Sequence, residues 1–424
     1  MYVTPAHRSL AQKFVFQKNR EDAFVPDSLL DLVTFTYTEE EAEVVSALGF
    51  LGLPARAIAR KLKRPVREVT PILESLSGRL LIQSLNMKGI PIYSFMPLVP
   101  GVFEAQMIRS KGEYGEYYKE FSRLFETFYE EFCTWIQPKL EGKDLRFGRI
   151  IPVERSLERS PGISVMALST DKYSEMVDRN NSFCLVHVCA CRHERELVGK
   201  GCGKPKDVCS AMGWLADLLI EKDMARRVSK EEFIDAKMRA ADAGLVNLVD
   251  NLENPLQVCS CCGCCCGALR LLSEFNIPTI IARSHFEAAI DTAKCIGCGN
   301  CAEVCPMDAI TLKKATPRAR KKKKASLDPV RCIGCGLCVS KCDRQKAITL
   351  RPREDYKPPA KTMAEYGMNR YLEVKGIESP ILEQVGLGVS RLLEKYSPLH
   401  ISGPKYRPKQ KRGGTDWATS VNSH

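Results

Sequence analysis

The sequence predicts an α+β chain of several domains, and three observations carry that expectation. At 424 residues the chain is longer than one hydrophobic core commonly supports. Its apolar periodicity switches repeatedly between helical and strand spacing, with turn residues at the switches. Its twenty cysteines are also unevenly placed, with one at position 133 and nineteen between Cys184 and Cys342. Hydrophobic content of 44% and charged content of 27% are those of a folded, water-soluble chain. The opening MYVTPAHRSLAQKFVFQKNR lacks the apolar stretch of a signal peptide, and no apolar run approaches the ~18 residues of a membrane span. A reducing, cytoplasmic setting follows, in which thiols serve as metal ligands rather than as disulfides.

Residues 1–36 read as an irregular arm. Thr38 then caps a helix with acidic residues in its first turn, Pro54 opens a second helix and Pro65 closes it. VREVTPILESLSGRLL reads as a third helix with Gly78 at its end. LIQSLNMKGIPIYSFM alternates as two short strands around Asn86-Met87-Lys88-Gly89. Three helices and a hairpin over residues 37–100 make a winged-helix-like pattern, a helix-turn-helix variant. As a DNA reader its third helix offers only Arg67 near its start, beside Glu68, Pro71 and Glu74. A docking or packing domain without nucleic acid is the expectation.

Residues 101–145 hold a long amphipathic helix, EYGEYYKEFSRLFETFYEEFCTWIQPKL, suited to a core or a subunit interface, with Cys133 as a buried thiol. Residues 146–285 form a cysteine-rich α/β domain. RFGRIIPVERSL, NSFCLVHVCAC and LVNLVDNLENPLQVC read as strands, and Ser229 with Glu232 makes a capping box ahead of a helix that Gly244 stops. The tail, residues 353–424, reads as two helices (KTMAEYGMNRYLEV and SPILEQVGLGVSRLLEKY) followed by a disordered basic end. The net charge of +12 is concentrated in KKATPRARKKKK and KYRPKQKR, which read as solvated runs.

The strongest signal is an internal repeat. KCIGCGNCAEVCPMDAITL and RCIGCGLCVSKCDRQKAITL share every cysteine at an offset of 37, so that Cys295, Cys298, Cys301 and Cys305 recur as Cys332, Cys335, Cys338 and Cys342. In each C-x2-C-x2-C-x3-C string, glycines such as Gly297 and Gly334 let three thiols curl around one object, while the fourth points away to a neighbour. Zinc sites more often use paired C-x2-C knuckles. Residues 286–352 thus resemble the bacterial dicluster ferredoxins, which carry two 4Fe-4S clusters on a pseudo-two-fold unit. The resemblance implies one cluster on Cys295, Cys298, Cys301 and Cys342, and a second on Cys332, Cys335, Cys338 and Cys305. Two departures stand out. Asp343 occupies the position of a proline, and one extra residue precedes the second AITL.

Upstream, Cys189, Cys191, Cys202 and Cys209 fit a looser C-x-C-x10-C-x6-C frame, with glycines around Cys202 and with Arg192 and His193 beside the first pair. His187 and His193 read as neighbours of this site rather than ligands. VCSCCGCCCGALR packs Cys259, Cys261, Cys262, Cys264, Cys265 and Cys266 into eight positions, where adjacent side chains diverge and alternate ones converge. Either some of these join a cysteine of the upstream group in one site, or two sites share the domain. One or two further iron–sulfur clusters are expected, with structural zinc as the alternative. ACRHERELVGKGC, CSCCGCCCGALR, the linker PLVPGVFEAQ and the terminal repeat together resemble a group of 4Fe-4S ferredoxin-type proteins of anaerobes with a helix-turn-helix-like start.

The function expected is relay of single electrons to or from a partner oxidoreductase, with lysines of the insertion between the repeats available to an acidic docking face. Catalysis by the chain itself is not required, and GKGCGK lacks the frame of a phosphate-binding loop. Two alternatives remain at this level. One is an oxidoreductase subunit that binds substrate at an unusual cluster within residues 184–266. The other is a redox-sensing winged-helix regulator.

Overall fold

The computed structural model describes residues 2–15, 24–314, 323–363 and 365–367. Two helices precede the region read as the first domain: α1 (Pro5–Phe14) and α2 (Asp27–Thr36). Thr4 accepts the His7 amide N–H, and the His7 ring turns back to the Thr4 amide, a capping box with histidine in the usual acidic place. Leu10, Phe14, Leu29, Leu32 and Val33 from these helices are buried in the same core as the elements that follow. The expectation of an irregular arm over residues 1–36 is therefore corrected at both helices.

Thr38 caps α3 (Glu39–Ala47) through a reciprocal capping box with Glu41. A short β1 (Leu53–Pro54) leads into α4 (Ala55–Leu62), which ends where Lys63 turns left-handed at φ 55°, and Pro65 precedes α5 (Val66–Gly78). Strands β2 (Gln83–Met87) and β3 (Ile90–Ser94) pair antiparallel, and β1 adds to β3, giving the order β1-β3-β2. Asn86 Oδ1 accepts the Gly89 amide N–H at 2.8 Å across the hairpin turn.

After α6 (Phe103–Arg109) comes α7 (Glu116–Ile136), whose apolar stripe buries Phe121, Leu124, Phe125 and Phe128. It packs on α2 at one side, and Phe125 stacks on Phe103 at 3.9 Å between ring centroids. Cys133 is fully buried on this helix, and burial pushes its thiol up to about 12. The helix is core, lying between the N-terminal unit and the cysteine-rich domain.

That domain is built on a sheet of β4 (Gly148–Ile151), β5 (Phe183–Val186), β6 (Ser210–Met212), β7 (Ala225–Arg227), β8 (Val246–Asp250), β9 (Gln257–Cys261) and β10 (Ile281–Ala282). The order is β10-β4-β8-β9-β6-β5-β7, antiparallel throughout except between β10 and β4. Helices α8 (Glu154–Glu158), α9 (Ile163–Met166) and α10 (Tyr173–Asp178) connect β4 to β5. Helix α11 (Ala190–Leu197) follows β5, α12 (Gly213–Glu221) follows β6, α13 (Lys230–Asp242) follows β7 and α14 (Gly267–Ser273) follows β9.

Three local expectations change here. NSFCLVHVCAC is strand only to Val186, because Cys189 becomes the N-cap of α11. LVNLVDNLENPLQVC is not one strand but a hairpin, turned where Asp250 accepts the Leu256 and Gln257 amides. Ser229 caps α13 through the Glu232 amide at 3.1 Å, while the Glu232 carboxylate pairs with Arg226, so half of the capping box forms.

The repeat unit is bounded by β11 (Phe286–Ile290) pairing antiparallel with β14 (Ile348–Pro352). Between them lie α15 (Asn300–Glu303), the paired strands β12 (Ile310–Lys314) and β13 (Lys323–Leu327), and α16 (Leu337–Lys341). Beyond β14 the chain returns to the sheet domain, where Tyr356 stacks on His285 and Ala360 bridges to Leu252. The first expected helix, KTMAEYGMNRYLEV, is helical at residues 363 and 365–367, while its remainder, the second expected helix and the basic end lie outside the described residues, as does the insertion from 315 to 322.

Candidate metal centres

Two clefts open in the repeat unit. One, of about 370 Å³, is lined by Cys305, Cys332, Cys335 and Cys338. The other, of about 350 Å³, is lined by Cys295, Cys298, Cys301 and Cys342. Each takes three cysteines from one loop and the fourth from the other repeat, with aliphatic side chains such as Ile310, Leu350 and Ile348 between them. Glycine is required where each loop bends. Gly297 and Gly334 both have φ 73°, and a Cβ there would sit 2.1 Å from the Lys323 carbonyl oxygen or 1.8 Å from that of Phe286. Amide N–H groups of Ala309 and Ala325 donate to the sulfurs of Cys305 and Cys295 at 3.3 and 3.4 Å.

Burial pushes the Cys301 thiol up to about 11 and also raises Cys305, Cys335 and Cys338. Metal ligation requires thiolates, so a cationic body in each cleft must offset that cost. The donor set and the sulfur-directed amides fit a thiolate-bound cluster in both positions.

The two departures in the second repeat are absorbed locally. Asp343 is exposed and pairs with Arg159, just past the end of α8, at 3.2 Å. The extra residue lengthens one turn: the Asp308 amide donates to the Cys305 carbonyl, whereas that of Lys346 donates to Cys342. Asp308 and Lys346 both then turn left-handed, at φ 51° and 45°, so the two exits match.

Ten of the eleven cysteines of the middle domain separate into two groups, Cys184 standing apart. Cys202, Cys262, Cys264 and Cys265 bring their sulfurs within 4.8 Å of one another. Cys202 and Cys262 are 3.9 Å apart, and Cys264 and Cys265 are 3.8 Å apart. The other six form a closed ring of thiol–thiol contacts. Cys189 meets Cys191 and Cys209, Cys209 meets Cys259, Cys259 meets Cys261, Cys261 meets Cys266, and Cys266 meets Cys191.

The backbone explains this partition. Cys259 and Cys261 alternate on β9 and so share a face, while Cys189 and Cys266 are the N-caps of α11 and α14. Left-handed Gly199 and Gly203 carry Cys202 away from Cys189, Cys191 and Cys209, so the C-x-C-x10-C-x6-C frame is not kept together. Neighbouring side chains part at Cys261–Cys262 and Cys265–Cys266, but Cys264 and Cys265 converge, against the sequence expectation.

Two buried cations border the ring. Arg192 donates to the Ser260 carbonyl at 2.6 Å and reaches Cys209 Sγ at 3.7 Å. Lys237 is fully buried and donates to the carbonyls of Val208 and Val258 and to Ser260 Oγ. Burial lowers its ammonium to about 8, with Arg192 adding to the fall and the facing thiols of Cys209, Cys259 and Cys261 opposing it. Hydrogen bonds from Cys189 and Cys259 hold Cys209 well below the usual thiol range, and those from Cys191 and Cys261 hold Cys266 at about 6. Gln257 Nε2 adds a donor to Cys259 Sγ at 2.8 Å, and sequence reading gave no sign of Gln257 or Lys237. His193 is buried, with Nε2 on the Glu113 carbonyl and its ring edge-on to Tyr114, while His187 faces Asp223. Cys184 is buried on β5, where burial raises its thiol to about 11.

The middle domain and the repeat unit meet closely. A Cβ at Gly263, between Cys262 and Cys264, would lie 2.2 Å from the carbonyl oxygen of Pro306, the residue after Cys305. The Val153 amide donates to the Cys335 carbonyl at 2.9 Å, and that of Ser284 to Ile333 at 3.1 Å.

Residues 294–363 match the family described as a 4Fe-4S dicluster domain. NADH-quinone oxidoreductase subunit I of Pelobacter propionicus is 33% identical over 92 residues, 20% of this chain and 49% of that protein. The chain thus spans about half the length of the curated relative it matches. No solved structure gives a significant match. The C-terminal part is therefore of 4Fe-4S ferredoxin type, and together these findings support iron–sulfur electron transfer. Among the described residues no helix is long and apolar enough to cross a membrane.

Proposed function

We propose that this chain is an electron-transfer protein whose repeat unit holds two 4Fe-4S clusters. One is ligated by Cys295, Cys298, Cys301 and Cys342, the other by Cys305, Cys332, Cys335 and Cys338. The crossed lining of the two clefts carries this assignment, because each quartet completes only when both repeats are folded. The six-thiol ring of the middle domain is a further redox centre, its negative charge balanced by Arg192 and Lys237. Gly263 against Pro306 places the two domains in backbone contact for transfer between them. Burial of Cys189, Cys209, Cys261 and Cys266 favours relay over substrate binding at this ring.

The partner is a redox protein, by the likeness to a subunit of an oxidoreductase. Exposed Lys313, Lys314 and Lys323 at the end of the β12–β13 pair suit an acidic docking face. The three helices and hairpin of the N-terminal unit are a winged-helix-like docking domain rather than a DNA reader. Its exposed α5 side chains include Arg67 but also Glu68 and Glu74, which repel phosphate.

The test is a pair of single substitutions in anaerobically purified protein. Cys305→Ser and Cys342→Ser should each remove one cluster's EPR signal and about four irons, leaving the other repeat-unit signal in place. Retention of both signals in either variant would refute the crossed assignment.

A further inference from the structure

We propose that Cys202, Cys262, Cys264 and Cys265 bind a single tetrahedral metal ion, zinc or iron, rather than a polynuclear cluster. An ion with metal–sulfur bonds of about 2.3 Å sets its four sulfurs about 3.8 Å apart. Two edges of this quartet are 3.9 Å for Cys202–Cys262 and 3.8 Å for Cys264–Cys265, and every other pair lies within 4.8 Å. A cubane spreads its thiolates, because each binds a different iron at a different corner.

The chain carries its own control. Among the described residues no other group of three or more cysteine, histidine or carboxylate donors is mutually this close. That includes both quartets of the repeat unit and the six-thiol ring. Soft thiolates select zinc or iron over magnesium or calcium, and four protein ligands leave no position open for substrate.

The consequence is mechanical as well as chemical. The ion ties the 199–209 loop to the Cys262–Cys265 turn, which lies against Pro306 of the repeat unit. A zinc ion there is a staple at the domain junction, and an iron ion adds a one-electron carrier at the same place. The site does not depend on the relay reading, since it follows from sulfur spacing alone.

The experiment measures iron, zinc and acid-labile sulfide in the full-length wild type and in the Cys202→Ser/Cys264→Ser double variant, both purified anaerobically. The repeat-unit EPR signals report that the variant is folded. Loss of one zinc, or of one iron, with sulfide unchanged is the expected result. Loss of iron and sulfide together, or no loss of metal, would overturn the proposal. Should the variant not fold, the wild type decides. One zinc with a four-sulfur shell at about 2.3 Å by X-ray absorption supports the site, as does iron in excess of sulfide. Absence of zinc with iron not exceeding sulfide refutes it.

Discussion

At Gly334 the main chain turns left-handed directly beneath the carbonyl of Phe286, where β11 begins. Alanine there meets two separate obstacles. The positive φ costs about 1–2 kcal/mol for any residue with a Cβ, and the new atom would overlap backbone that cannot swing aside. Gly334→Ala should therefore displace the 332–338 loop and lower iron content by the share of one cluster. Gly89→Ala is the control, with φ 85° and open space around it. It should cost only the backbone term and leave iron content unchanged, both read by iron analysis and thermal melting. The same contrast shows what single residues disclosed in advance. The x2-x2-x3 rhythm puts three thiols on one loop by local geometry, while the crossing of the fourth was expected from the resemblance to dicluster ferredoxins, and the lining of the two clefts agrees with it. The partition of the ten cysteines that form the ring and the quartet was not readable, because it depends on which way β9 ends and on the two left-handed glycines flanking Cys202.

Helix α11 is the element that sequence pattern described least well. Its run Arg192, His193, Glu194, Arg195 consists wholly of ionisable residues, yet all four side chains are buried. Each has a reason in what surrounds the helix. Arg192 faces the thiol ring, and His193 meets the Glu113 carbonyl. Arg195 joins Arg270 on Glu126 of α7. Burial alone would raise the Glu126 carboxyl, but these two guanidinium groups hold it down at about 2. Glu194 has no such pair. Burial, with the neighbouring Glu126 charge, raises it to about 8. Between its ordinary value near 4.5 and about 8, the folded chain keeps a proton that the unfolded chain releases. Stability from this group should therefore fall as pH rises through that window, by up to about 1.4 kcal/mol per pH unit. Glu194→Gln should match the wild type at pH 4.5 and exceed it at pH 8, by urea denaturation at both values. Equal stability at both would show that Glu194 ionises normally. Helices α1 and α2 escaped notice for a related reason. The α1 cap is present, but His7 stands where a capping box usually shows an acid, and α2 has no side-chain cap.

On the scale of the whole molecule, the arrangement places the sites in an order. The repeat unit adjoins the Cys262–Cys265 turn through Gly263 and Pro306, and Cys261 and Cys266 at either side of that turn belong to the six-thiol ring. Helix α7 braces the other side, with Glu126 bound to α11 and α14, and Tyr129 donating to the Gly267 carbonyl at 2.6 Å. The N-terminal unit is thus tied to the helices that present Cys189 and Cys266. None of this is visible as a local pattern, because Gly263 is flanked by cysteines and reads as one more loop glycine. Its lack of a side chain is what lets the two domains touch. Gly263→Ala should push Pro306 away at an overpacking cost of about 1–3 kcal/mol. Because Gly263 lies between Cys262 and Cys264 and Pro306 follows Cys305, iron, zinc and sulfide are measured alongside, and the kinetic comparison is made on variant protein with wild-type content. Transfer between the domains should slow, seen as delayed reduction of the middle-domain centre in rapid-freeze EPR after the repeat unit is reduced. Unchanged kinetics with a lowered melting temperature would show that the junction is structural and that electrons enter the ring by another route.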